Sequence, residues 1–88
     1  MKRIFRCEVP VDDGVYNLAL SGDPVAVGCR EHGVVEFWTP DDDEAPHPLR
    51  SFTVVGTGHP LPVNHVRHWG TAINPGGALV WHLIEVEA

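Results

Sequence analysis

Six histidines stand in a chain of 88 residues, and four of them, His59, His65, His68 and His82, fall in its last third. An imidazole can ligate a metal, carry a proton or, when protonated, hold an anion. A zinc site needs three or four His, Cys or carboxylate ligands converging tetrahedrally, and none of the spacings here is a metal signature. His65 and His68 are three apart, so on a regular strand they face opposite sides and cannot both reach one ion. His59, His82 and one of that pair converge only if folding brings them together. No metal ligand and no cofactor is assigned, and a His-based metal-binding protein is kept as a third reading.

Anion chemistry has a better local signal. Successive backbone N–H groups in the Gly-rich turn Gly56-Thr57-Gly58-His59 can form an anion-holding concavity, with the Thr57 hydroxyl and His59 imidazole beside it. Pro60 and Pro62 stiffen the segment that follows, which lowers the entropy lost on binding. The turn lacks the length and lysine of a phosphate-binding P-loop, and it precedes a strand rather than a helix. Trp69 and Trp81 offer flat faces for a nucleobase, while Arg50 and Arg67 can form bidentate pairs with phosphate. The expected ligand-binding set is therefore Gly56, Thr57, Gly58, His59, Arg50, Arg67, Trp69, Trp81 and His82. The plain structural alternative is a turn that reverses the chain and tryptophans that fill the core.

Catalysis finds little support. There is no Gly-x-Ser-x-Gly elbow, and neither Cys7 nor Cys29 sits in a signal for an activated thiolate. Most of the acids lie in turns rather than paired where a cleft would form. The two cysteines lack Cys-x-x-Cys spacing and read as free thiols acting as small hydrophobes. The chain reads as non-enzymatic, with no catalytic residue.

The elements that must position these groups are strands. Nine Gly and eight Pro recur along the chain, and nearly every gap between them has strand character. Arg3 to Val9 alternates, with Phe5, Cys7 and Val9 on one face and Ile4, Arg6 and Glu8 on the other. Val15 to Leu20, Val25 to Cys29, Val34 to Trp38, Leu49 to Val55, His65 to Ile73 and Ala78 to Val86 complete the series. The last two form a hairpin across Asn74-Pro75-Gly76-Gly77. Thr39 to Pro48, with its prolines and acids, reads as an exposed, mobile loop. The expectation is an all-β fold, a small antiparallel sandwich or partly open barrel of about seven strands. In the final strand both faces are mainly apolar, so it is central and covered on both sides, or covered by a second subunit.

Composition limits the partners. The chain is 43% hydrophobic and 20% charged, which is globular. It makes one domain, residues 1–88, with a thin core, so self-association into a homo-oligomer is expected. A net charge of −6 disfavours nucleic acid and anionic membranes. The longest unbroken apolar run, Ala78 to Trp81, is four residues, against the roughly 20 of a membrane helix. No secretion signal is visible, and the reading is cytoplasmic. Asp41 to Glu44 gather four of the twelve acids, whereas Leu49 to Leu83 contains none.

Gly56-Thr57-Gly58-His59-Pro60-Leu61, Trp69-Gly70-Thr71 and Gly76-Gly77-Ala78-Leu79-Val80-Trp81-His82-Leu83 resemble the motifs of a family of short phage- and bacterium-encoded proteins of unknown function. Met1-Lys2-Arg3-Ile4-Phe5-Arg6 resembles that family's start, so the similarity spans nearly the whole chain. The resemblance implies a phage or prophage accessory protein in an infected or lysogenic host. For such a protein the leading expectation is binding of a small anionic host ligand, such as a cyclic or ADP-ribose-type nucleotide, sequestered as a counter-defence. The alternative is a protein-docking or virion-associated module.

Overall fold

The structure, a computed structural model, describes residues 1–87. Seven strands follow in order: β1 Lys2–Pro10, β2 Tyr16–Ala19, β3 Ala26–Glu31, β4 Val34–Asp42, β5 Leu49–Gly56, β6 His65–Ile73 and β7 Val80–Val86. They form two antiparallel sheets, ordered β1-β4-β3 and β2-β5-β7-β6, which face each other without closing into a barrel. Among the described residues there is no helix, and so none long and apolar enough to cross a membrane. The all-β expectation holds, in its sandwich form.

Alternation along each strand builds the core. Val9, Val35 and Phe37 from the first sheet meet Phe52, Val54 and Leu83 from the second, and Leu20 joins the same cluster. The Phe37 and Phe52 rings lie 5.3 Å apart at 36°, a tilted pairing that adds about 0.5–1.5 kcal/mol beyond burial. At one margin the sheets approach so closely that a Cβ on Gly70 of β6 would stand 2.5 Å from Cγ2 of Val27 in β3. A glycine in mid-strand marks such a close approach.

The expected mobile loop from Thr39 to Pro48 is shorter than its composition implies. β4 continues through Thr39, Pro40 and Asp41 to Asp42, pairing in turn with Phe5, Ile4, Arg3 and Lys2 of β1, and Thr39 is buried. Pairing between β4 and β3 stops at Trp38 opposite Ala26, so beyond that point no strand pairs with that side of β4 and proline is tolerated, while the Asp42 N–H donates to Ser21 Oγ at 2.8 Å. The acids there have local partners. Asp43 meets the N-terminal amine at 2.6 Å, Asp41 meets His47 Nε2 at 2.8 Å, and Asp42 accepts from the Glu44 N–H at 3.0 Å.

β7 lies between β5 and β6, hydrogen-bonded to both. Leu83 on its inner face and Ile84 on its outer face are both fully buried. The outer cover comes from the same chain. Leu61 flanks Ile84 and Val55, and Pro60 to Val63 flank Thr53 and Val55. The Thr53 hydroxyl donates to the Gly14 carbonyl at 2.8 Å. The covering segment is pinned by the Asn64 amide, which donates to the Glu87 carbonyl at 3.1 Å. The burial on both faces that suggested either a central strand or a second subunit is met within one chain.

A histidine cleft on the outer face of the sheet

β5 ends in a tight turn that explains its glycines. The His59 N–H donates to the Gly56 carbonyl at 3.1 Å, and Gly58 takes φ of +88°, the conformation that the third position of a type II turn requires. At Gly56 a Cβ would meet Trp81 Cζ3 at 3.2 Å and His59 Nδ1 at 3.3 Å. The Thr57 N–H donates to the Val80 carbonyl at 3.2 Å. Two of the amides expected to cradle an anion are therefore engaged, one within the turn and one with β7, and the side chains remain to do any binding.

Those side chains converge. Thr57 Oγ1 lies 2.8 Å from His82 Nε2, and His82 Nδ1 lies 3.0 Å from His68 Nε2. Thr71 Oγ1 stands 3.1 Å from His82 Nδ1 and 3.3 Å from His68 Nε2. The two rings tilt by 49° with centroids 5.2 Å apart. They open onto a cleft of about 340 Å³ that is also lined by His59, Val55, Leu61 and Ile84. No carboxylate lines it.

His68 and Thr71 were not among the expected site residues. They are three apart, which on a regular strand sets them on opposite faces. The ladder shifts register between His68, opposite Ile84, and Gly70, opposite Leu83. The extra residue returns Thr71 to the side of His68, opposite His82. Gly70 is the sequence signal for this bulge.

The other expected residues lie elsewhere. Trp81 neighbours His82 and so faces away from it. It lines a separate cleft of about 320 Å³ beneath the same turn, with Gly56, Thr57 and His59. Its indole Nε1 is buried with no partner among the described residues. Arg50, Arg67 and Trp69 gather around Glu85 on the inner side of β7. Arg50 Nε and Nη2 donate to Glu85 at 2.9 and 2.7 Å, and Nη1 meets Asp23 at 2.9 Å. Trp69 Nε1 donates to Glu85 Oε1 at 2.9 Å. The Arg67 guanidinium sits 4.1 Å from the Trp69 ring centroid, a cation–π geometry. Hydrogen bonds from Arg50, then Trp69, hold the Glu85 carboxyl below the usual carboxylate range against the opposing effect of burial. Arg50 is thus already paired with two carboxylates. The expected set divides into a turn-and-imidazole group outside β7 and an arginine-and-indole group inside it.

A third polar cluster lies on the outer face of the other sheet. Glu36 is buried beneath Arg6, at 3.1 Å, and Arg30, whose Nη2 lies 3.0 Å away. Hydrogen bonds, chiefly from Arg30, hold its carboxyl below the usual range. Both arginines are engaged, so the cluster closes on itself. Cys7 and Cys29 are free thiols, each half-buried, and burial pushes both above the ordinary thiol range. Among the described residues no group of three or more His, Cys, Asp or Glu side chains is placed to hold a metal ion.

No curated protein and no solved structure matches the chain. A family does match along its full length, residues 1–88, and the chain belongs to that family, DUF7352, a domain of unknown function.

Proposed function

We propose that this protein binds a small anionic ligand, without turnover, in the cleft formed by His59, His68, His82, Thr57 and the Gly56–Gly58 turn. One observation carries the reading: three imidazoles and a hydroxyl converge on an apolar-walled cleft that no carboxylate lines. Small-ligand sites combine apolar walls with a few converging polar groups and span about 300–1,000 Å³, and this cleft lies at the small end of that range. Imidazole N–H groups supply the kind of donor that a phosphate or carboxylate needs. Arg50 is excluded from the set by its pairing with Glu85 and Asp23. Arg67 lies with Trp69 on the inner side of β7.

The phage or prophage setting that the motifs imply makes phosphate-bearing host messengers the first class to test, bound and withheld rather than converted. The panel is cyclic nucleotides, ADP-ribose derivatives and inorganic phosphate, each titrated while thermal unfolding is followed. A ligand at about 100 times its Kd stabilises by about 2.7 kcal/mol, which raises Tm by roughly 10–20 °C in a domain of this size. The double variant His68→Asn/His82→Asn is expected to lose that rise while folding normally. If no member raises Tm even at millimolar concentration, the reading fails.

A further inference from the structure

We infer that His68, His82 and Thr71 form a facial site for a transition-metal dication of the zinc or nickel type. His82 Nδ1, His68 Nε2 and Thr71 Oγ1 form a nearly equilateral triangle with edges of 3.0, 3.1 and 3.3 Å. With metal–ligand distances of about 2.0–2.1 Å, two ligands stand about 3.3 Å apart in a tetrahedral site and about 2.9 Å apart when cis in an octahedral one. The three edges fall between those values, so one ion above the triangle is within reach of all three atoms once the two rings, whose centroids now stand 5.2 Å apart, turn their lone pairs toward it.

The protons are also arranged for it. A ligating histidine is normally oriented by a hydrogen bond from its other ring nitrogen. His82 Nε2–H donating to Thr57 Oγ1 at 2.8 Å fixes the lone pair on Nδ1, and the Thr57 hydroxyl is left to donate toward the Val80 carbonyl at 3.5 Å. Without the ion, His68 Nε2–H donates to His82 Nδ1. When the ion arrives, His68 carries its proton on Nδ1 instead, which frees Nε2 to ligate. Thr57 is a positioning residue in this scheme. His68 and Thr71 are exposed and the cleft is open, which gives the ion an entry path. Two imidazoles and a hydroxyl favour borderline metals over Mg²⁺ or Ca²⁺, which prefer all-oxygen sites. The remaining coordination positions face the cleft, where water or an anion completes the shell.

The ion is titrated alone, without nucleotide, so a negative result removes the ion site and leaves the anion reading to its own test. Tag-free protein is titrated with Zn²⁺, Ni²⁺ and Mg²⁺ by calorimetry. Zn²⁺ and Ni²⁺ are expected to bind one per chain and Mg²⁺ not at all. His68→Asn and His82→Asn each weaken Zn²⁺ binding at least tenfold, and Thr57→Val weakens it about tenfold through orientation alone. His65→Asn leaves it unchanged, because that ring turns instead to the Pro62 carbonyl at 3.1 Å. Imidazole ¹⁵N spectra of the unaltered protein provide a readout that does not depend on variants folding: Zn²⁺ shifts His82 Nδ1 and His68 Nε2. Absence of Zn²⁺ binding, unchanged affinity in both histidine variants, or shifts confined to His47 and His65 overturns the site.

Discussion

Glu85→Gln isolates the ion pair that ties the inner side of β7 to β5 and to the turn carrying Asp23. Glutamine keeps the size of the side chain and an oxygen for Trp69 Nε1, but it removes the charge that faces Arg50 Nε and Nη2. Arg50 then retains Asp23, a weak counter-ion because its side chain is 65% exposed. Breaking a fully buried pair costs about 3–5 kcal/mol, whereas an exposed pair contributes about 0–1 kcal/mol. With side chains 17% and 14% exposed, Arg50 and Glu85 fall between these limits, and about 2 kcal/mol is expected. In a domain of this size that lowers Tm by about 8–16 °C. The Glu85 carboxyl is held below its ordinary 4.5 in the folded state. Its contribution is therefore fully present above that value and is lost as pH falls through the lower, folded one. The gap between the parent and Glu85→Gln must accordingly be full at neutral pH and shrink below about pH 4.5. Glu36, also depressed, is common to both proteins and cancels in the difference. Urea titrations at several pH values measure the gap directly. A cost below about 0.5 kcal/mol at neutral pH, or a gap that persists unchanged into acid, refutes the assignment of Arg50 and Glu85 as a coupled structural pair.

Two further substitutions test the packing around the site. Gly70→Ala places a Cβ 2.5 Å from Val27 Cγ2 and 2.9 Å from Val27 Cβ, an overpacking expected to cost about 1–3 kcal/mol; Val27→Ala in the same chain should return part of that loss in a denaturant titration, and full additivity would show that the two sheets do not meet there. Trp81→Phe removes the buried, unpartnered indole N–H, whose desolvation costs about 1–3 kcal/mol, so the loss of ring volume should be largely offset and the net change stay within about 1 kcal/mol. A loss above 3 kcal/mol by the same measurement would mean that Nε1 has a partner in solution.

The strands were legible because each depends on its own alternation and on the glycines and prolines at its ends. His65–Ile73 stands where the pattern placed it. The stretch from Thr39 to Asp42 was misread because Pro40 and its acids resemble a loop in isolation. What makes them a strand is Lys2 to Ile4, nearly forty residues earlier. The pairing of Arg50 is hidden for the same reason. Its partners Asp23 and Glu85 lie on other elements, and no local pattern announces that a cation is already paired. Trp81 and His82 are adjacent on β7 and so point to opposite faces. Alternation bars His65 and His68 from one ion and leaves either free to join His82; Thr71 joins His68 only because the bulge before Gly70 suspends that alternation.

Alternation on β7 also decides where charge can act. Odd-numbered Glu85 points inward and is matched by Arg50 and Trp69, while even-numbered His82 points outward to His68 and Thr57. A shift of β7 by one residue would carry the carboxylate into the cleft and the imidazole into the arginine cluster, reversing the sign of both. Register is fixed against that slip by the burial of Leu83 on one side and Ile84 on the other. Two methyl-rich neighbours with no charge of their own thus keep the acid away from the histidines. The net charge of −6 says little about which ligand this cleft accepts, because strand register has already sorted the charges by face.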